Sequence, residues 1–494
     1  MSHLLRTLAS WGEFRAVVVG DFMLDQMVYG HADRLCPDAP VPILHVQRTE
    51  NRPGGAANVA LDLVAMRGRV RVVGVTGDDA EGRQLADELR RAGADPAGLV
   101  IDPSRPTTQK RSLIGLAQHR HAQKMFRLDY ESREPIGVAV ERGLMGAFDA
   151  ALTRADVVCL EDYGKGVCTP TFCRALIDRA RAAGKPVLVD PAAIPDYGKY
   201  DGATTLTPNR IEAQRATGVR VDDGAPPEAF APIAATLIER HGLDAAVITL
   251  DRQGALLMER GGGDARVVPT EARQVYDVTG AGDMVLAALA AGRARGLDWY
   301  DSVRLANAAA GLEVEVFGVQ PIPIERIHSE ILGRERSTRG KVRTLDEAVV
   351  EAEALRRAGK KIVFTNGCFD VLHVGHASLL RRAAALGDFL VVAVNDDASV
   401  RRLKGPTRPV NSEQDRAELV GELGGVGAVV VFAEDTPERV IRAIRPDVLV
   451  KGAEYRVDQI PGAAYVIEQG GRVERLDMID GRSTTRVMER IRRG

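Results

Sequence analysis

The sequence predicts an α/β protein with two open, largely parallel sheets in tandem. Short apolar runs rich in Val, Ile and Leu alternate with helical patterns over most of the 494 residues. That alternation implies parallel strands with helices on both faces. One polar, basic stretch, 107–129, breaks the alternation, and a charged stretch without periodicity, 333–343, divides it.

The length allows about two to four domains. An apolar content of 45% and a charged content of 27% describe an ordinary globular chain with ample core. Lys plus Arg number 66 against 68 Asp plus Glu, and aromatic residues make up 4%, so neither charge nor stacking platforms suggest nucleic acid. The five cysteines are scattered and form no CxxC pair, which fits a reducing compartment better than a disulfide framework or a zinc site. Arg6 and Glu13 interrupt the only apolar patch near the N-terminus, and no run approaches the roughly 20 apolar residues a membrane helix needs. The expectation is a cytoplasmic protein without a membrane segment.

In chain order, Ala16–Asp21 reads as a buried strand running into Phe22–Asp25. A carboxylate just past a parallel strand commonly faces the ligand crevice, although Asp21 alone fits a loop cap equally. Pro53–Asn58 follows, with adjacent Gly54 and Gly55 that let backbone approach a ligand, and then a helix over 59–66. Strands are expected over 70–75, 157–160, 186–189 and 245–250, and helices over 82–92, 171–183 and 229–241. The stretch 107–129, carrying Lys110, Arg111, Arg120, Lys124 and Arg127, reads either as a β flap over a site for an anionic substrate or as a solvated edge hairpin.

Asp277–Asp283 carries the chemistry of this half. Gly280 and Gly282 free the backbone around Ala281 so that successive N–H groups can point at one anion, with a helix expected over 284–295. Asp283 then stands where a carboxylate can take a proton from an attacking hydroxyl. Together with Gly20–Asp25, Gly54-Gly55 and Asn58, Asp162–Gly166, and Asn209–Glu212, this segment resembles the ribokinase (PfkB-type) sugar kinases over about residues 1–332. The resemblance implies Asp283 as catalytic base and Gly280, Ala281 and Gly282 as the anion hole. It implies Asn209, Arg210, Ile211 and Glu212 around Mg-ATP, and Asn307 on a helix flanking the nucleotide. Asp25, Gly54, Gly55 and Asn58 would hold sugar hydroxyls, with Lys110 and Arg127 also on the substrate. Met284 and Val319 stand where closer relatives are expected to carry Thr. No residue is assigned as a metal ligand.

Residues 333–343 cannot bury a core and read as a linker, which leaves 344–494 as the second domain. A helix is expected over 345–358. Lys361–His376 then reads as a buried strand, an Asn366-Gly367 turn, and His373 and His376 opening a helix. Their three-residue spacing lets both imidazoles face one point at a helix N-terminus, a place suited to phosphate; surface or metal-binding histidines are the alternative. This block resembles the HxGH signature of cytidylyltransferase-like nucleotidyltransferases. Further on come a strand over 389–394, a basic loop over 401–408, a strand over 428–432, Lys451 at a strand end, and a hydroxyl-rich turn at Ser483, Thr484 and Thr485.

The whole order resembles the bifunctional heptose kinase/adenylyltransferases. The fold class is therefore α/β, a ribokinase-like doubly wound domain with a β flap followed by a Rossmann-like HxGH nucleotidyltransferase domain. The resemblance implies His373 and His376 on the nucleotide phosphates, with Asn366 and Gly367 beside them. Lys404 and Lys451 would be electrostatic clamps, and Ser483, Thr484 and Thr485 phosphate-binding hydroxyls. It also implies ATP and Mg²⁺, heptose phosphates as substrates, and a homodimer through the kinase half. Residue chemistry by itself supports a kinase for a sugar-like alcohol joined to a nucleotidyltransferase. Another sugar or alcohol, or a non-catalytic nucleotide-binding regulator, stays open at this point.

Overall fold

The computed structural model describes the backbone of residues 3–117, 120–222, 224–270, 279–316, 319–357 and 359–477, and the side chains of these except 117–121 and 334–339. The chain divides into two compact units, Trp11–Ile327 and Met1–Ser10 with His328–Gly494.

The larger unit is built on a nine-stranded sheet. Its centre is Phe14–Gly20, paired in parallel with Gly68–Thr76 on one side and Val157–Glu161 on the other. Asp95–Ile101 extends the first side. Val187–Asp190, Thr205–Leu206 and Ala245–Thr249 extend the second, still parallel. Ala255–Glu259 and Arg266–Val268 close that edge antiparallel. Val17, Val19, Val158, Leu160, Val187 and Val189 share one core cluster, while Ala16 and Val18 are buried on the alternate positions. Burial on both faces is why these strands read as continuous apolar runs. The chain leaves the central strand in opposite directions, so the ends of Phe14–Gly20 and Val157–Glu161 flank a topological switch point, where open α/β sheets bind ligands.

The flap is larger than expected from 107–129. Phe22–Cys36 and Ala39–Gly55 form a long hairpin, and Thr108–Ala117 with Arg120–Tyr130 complete a four-stranded sheet. Phe22–Cys36 pairs in parallel with Thr108–Ala117. Much of Ala39–Gly55 is exposed, with Pro40 and Pro42 among its apolar residues and a polar run over 47–52, so it carries no regular apolar alternation for a sequence reading to find.

The smaller unit carries a six-stranded sheet in the order Val342–Arg343, Val426–Phe432, Phe389–Asn395, Ile362–Gly367, Val448–Gly452, Arg472–Leu476. All its pairings are parallel. Ile362 and Phe364 point into one core cluster and Val363 into another. Here the switch point lies between Ile362–Gly367 and Val448–Gly452. The stretch expected as a linker differs: a helix runs Ile324–Arg339, and Val342–Arg343 pairs with the sheet. Ile324, Ile327 and Ile331 are buried at helical spacing, and the Arg and Glu residues beyond Leu332 are good helix formers. The segment expected as a basic loop is also partly helical, Asp397–Lys404. The helix His3–Ala9 packs on Leu345–Arg357 and so belongs to this unit. Among the described residues no helix is long and apolar enough to cross a membrane.

Candidate active sites

In the larger unit the helix starts at Ala281, three residues before the sequence suggests, and Gly280 is its N-cap at φ 90°. A left-handed residue there is cheap only for glycine, and a Cβ would also lie 2.8 Å from Glu313 Oε1. The N–H groups of Ala281, Gly282 and Asp283 therefore occupy the first turn, where they have no intrahelical partner and the helix dipole is positive. Asp283 is buried beside them. Its Oδ2 accepts a 2.8 Å hydrogen bond from Asn58 Nδ2, and its Oδ1 accepts one of 2.8 Å from the Tyr163 hydroxyl. Burial raises its carboxyl to about 6, against the lowering effect of those two donors and of Lys110. A carboxylate poised there is ionised at neutral pH and close to the affinity a general base needs.

Two further acids converge on it. Carboxylate oxygens of Glu161, Asp190 and Asp283 all lie within 4.8 Å of one another. Glu161 Oε2 is buried without a hydrogen-bond partner. Burial first, and then the charges of neighbouring acids, push Glu161 and Asp190 well above the usual carboxylate range. A Cβ on Gly282 would sit 3.4 Å from Asp190 Oδ2, so this acid lies against the start of that helix. Hard carboxylate oxygens in want of positive charge fit Mg²⁺.

A cavity of about 450 Å³ lies under the flap and meets this centre at Asn58, which lines the one and bonds Asp283 in the other. Asp25, Asn51, Arg52, Asn58, Lys110, Lys124 and Arg127 line it, with Thr279 at its floor. Burial raises the Asp25 carboxyl, while Lys110, Arg127 and Lys124 lower it, so three cations face one acid. Gly54 lies against that acid: a Cβ there would stand 2.4 Å from Asp25 Oδ2. Gly55 caps the helix Ala56–Ala65, and Arg127 also pairs with Asp129 at 2.8 Å. Residues 107–129 are thus part of a flap that contributes cations to a cavity.

The residues expected around the nucleotide have local roles. Asn209 Oδ1 accepts from the N–H groups of Ile211 and Glu212, and Glu212 Oε2 returns a bond to Asn209 N, a complete capping box. Arg210 bonds Leu250 O and Gln253 Oε1, and Ile211 is exposed. Glu212 does face the acid cluster, since it raises Asp190. Asn307 is buried and donates to Val268 O at 2.7 Å, fastening the end of the edge strand.

In the smaller unit His373 is the N-cap of the helix Val374–Ala384, and its Nδ1 accepts from Gly375 N at 3.2 Å. His376 lies one turn in, and the two rings stack with centroids 3.9 Å apart. Burial, and the positive charge of Lys404, lower His373; burial, His373 and Lys404 lower His376 to about 4. Both are neutral at pH 7, and with Nδ1 of His373 accepting, its Nε2 carries the proton. Lys451 crosses the switch point, donating to Asn366 O at 3.0 Å and Asn366 Oδ1 at 2.8 Å. Its burial lowers the ammonium to about 8. Gly367 ends the strand beside Asn366. Behind this turn the fully buried Arg416 donates to Cys368 O, Asn411 O and Asp397 Oδ1, which fixes the loop before the histidines. Ser483, Thr484 and Thr485 lie outside the described residues.

Comparison with known proteins finds two families in tandem. The profile described as pfkB family carbohydrate kinase matches residues 14–326, and the cytidylyltransferase-like profile matches 364–481. A protein of Geobacter sulfurreducens named Bifunctional protein HldE is 43% identical over 97% of this chain and 96% of its own length. One of the same name from Caulobacter sp. strain K31 is 45% identical over 96% and 95%. The chain belongs to the HldE family of bifunctional proteins. It joins a pfkB-type carbohydrate kinase to a cytidylyltransferase-like nucleotidyltransferase. The kinase fold also matches the Arabidopsis thaliana ribokinase complexed with ribose and ATP, at TM-score 0.50 and 21% identity, over 65% of this chain and 99% of that one. Phosphofructokinase-2 from Escherichia coli, in complex with substrates and products, matches at TM-score 0.53 and 16% identity, over 66% and 100%.

Sequence reasoning missed Glu161, Asp190 and Tyr163 as partners of Asp283, and Arg416 behind the histidines. Glu161 and Asp190 end parallel strands, so the rule that singled out Asp21 would have found them. Asp21 itself caps a loop: its Oδ2 accepts from Tyr163 N at 2.8 Å and Lys165 N at 3.0 Å. Arg416 carries no local signal.

Proposed function

We propose that the kinase unit uses ATP to phosphorylate the anomeric hydroxyl of D-glycero-D-manno-heptose 7-phosphate. The second unit then transfers AMP from ATP to heptose 1-phosphate, giving ADP-heptose and pyrophosphate for lipopolysaccharide core synthesis. The observation that carries this reading is the cavity under the flap: Asp25 and Asn58 suit sugar hydroxyls, and Arg52, Lys110, Lys124 and Arg127 suit a phosphate on the same molecule.

Asp283 takes the proton of the hydroxyl as its oxygen attacks the γ-phosphorus and ADP departs. The first-turn N–H groups of Ala281, Gly282 and Asp283 stabilise the charge on the transferring phosphoryl. Glu161 and Asp190 would hold Mg²⁺, whose charge would offset that of the ATP phosphates. In the second unit, an oxygen of the sugar 1-phosphate attacks the α-phosphorus and pyrophosphate leaves. The His373 Nε2–H and the His376 ring face the phosphates, and Lys404 and Lys451 add positive charge. Ser483, Thr484 and Thr485 would contribute hydroxyls. A phosphatase must remove the 7-phosphate between the two steps. The flap exposes Leu35, Val41, Val46, Phe126 and Leu128, which supports a homodimer through the kinase unit.

Mass spectrometry after incubation with Mg-ATP and heptose 7-phosphate tests the reading. The expected product is the 1,7-bisphosphate, and ADP-heptose once a 7-phosphatase is added. ATP turnover on other sugars, with none on heptose 7-phosphate, would replace the substrate and keep the reaction types.

A further inference from the structure

The loop 162–166, at the switch point of the larger sheet, is fastened far more tightly than a surface loop requires. Asp21 Oδ2 holds the N–H groups of Tyr163 and Lys165. Asp162 Oδ1 accepts from Gly164 N at 2.8 Å, and its Oδ2 accepts from Tyr200 and Lys199. Arg105 donates to Lys165 O at 3.0 Å, and Lys165 pairs with Glu131. All this fixes a backbone whose outward product is one side chain, Tyr163. The residue is 37% exposed, with the Lys110 ammonium 5.2 Å from its ring centroid, and its hydroxyl ends on Asp283 Oδ1.

A carboxylate on a short side chain keeps a broad, roughly two-fold torsion about its last bond. Asn58 grips one oxygen of Asp283, which by itself leaves the other free to swing. We propose that Tyr163 is a positioning residue for sugar phosphorylation: with Asn58 it fixes the plane of the Asp283 carboxylate, so that an oxygen faces the attacking hydroxyl before the sugar arrives. This rests on Asp283 being the base. Orientation of this kind acts on the chemical step and hardly on binding, because neither substrate needs to touch the phenol.

Tyr163→Phe removes only the hydroxyl. The kcat for sugar phosphorylation is expected to fall roughly 10- to 100-fold, with KM for sugar and ATP unchanged within about twofold, since a hydrogen bond to a charged group is lost. Adenylyl transfer by the same preparation reports an intact protein. An unchanged kcat or a loss confined to KM would overturn the proposal. Asp283→Asn run alongside separates the two ideas. If it still phosphorylates sugar, the base assignment fails; if it is inactive while Tyr163→Phe is unaffected, only the role of Tyr163 fails.

Discussion

The two centres solve opposite electrostatic problems by the same means. In the kinase unit, acids are packed until they resist ionising: Glu161, Asp190 and Asp283 are all raised by burial first, Glu161 then by Asp190 and Asp283, and Asp190 by Glu212 and Asp283, while Asn58, Tyr163 and Lys110 hold Asp283 down. In the nucleotidyltransferase unit, bases are packed until they resist protonation: His373, His376 and Lys451 are all lowered, again chiefly by burial. Desolvation disfavours whichever form is charged. On the proposed function each site is thus short of the charge its ligand would supply, cation in one and triphosphate in the other, and binding would restore ionisation. The lesson is that a shifted titration can mark a site by what it lacks.

The largest test of this contrast exchanges losses between the two activities. Asp283→Asn should lower sugar phosphorylation by about 10²- to 10⁴-fold, as expected for a general base, and leave adenylyl transfer intact. His376→Ala should lower adenylyl transfer by roughly 10²- to 10³-fold, the scale of one transition-state donor, and leave phosphorylation intact. Separate assays of both half-reactions on each variant decide it. A variant that loses both would show that the centres are not independent.

Next in size is charge in the cavity. Lys110 lines it and biases both Asp25 and Asp283. Lys110→Met should raise KM for a phosphorylated sugar about 10- to 100-fold, the worth of a charge-assisted contact, and do little for an unphosphorylated analogue. Equal losses on both sugars would mean that Lys110 serves the base and not the phosphate.

The pH profiles should differ as the titrations do. Asp283, raised to about 6, works as the carboxylate, so kinase kcat/KM should fall as pH drops through about 6. His376, lowered to about 4, stays neutral over that range, so the transferase should show no limb from His376 between pH 5 and 7. Its decline should come on the alkaline side, as Lys451 loses its proton near 8. Coincident acid limbs in the two activities would remove the contrast.

How much of this was legible follows from where the signal sits. The parallel strands announced themselves because both faces are buried, and Gly280–Asp283 and His373–His376 because glycine turns and paired imidazoles at a helix start leave local patterns. The hairpin Phe22–Gly55 was not legible: its second strand is exposed, and its pairing with Thr108–Ala117 is remote in sequence. Tyr163 and Arg416 were missed for a related reason. Each acts through a partner far along the chain, Asp283 for one and Cys368 and Asp397 for the other. The helix through 333–339 was hidden by composition, since charged residues that form good helices also form good linkers.

The smallest expected effect concerns Asn209, where resemblance and geometry assign different work. Family likeness places it on Mg-ATP, whereas the structure commits its Oδ1 to two backbone N–H groups of the helix Arg210–Thr217. A residue spent on a capping box has one amide nitrogen left for a ligand. If capping is its main task, Asn209→Ala should cost about 1 kcal/mol of stability in the kinase unit, seen as a small drop in melting temperature, with KM for ATP changed less than about twofold. Asn209→Ser, which can still cap, should restore the melting temperature. A rise of tenfold or more in KM for ATP, unrelieved by Ser, would return Asn209 to the nucleotide. The capping box would then be the scaffold that presents its amide, and this acid-rich site would hold ATP through a neutral donor as well as through its cation.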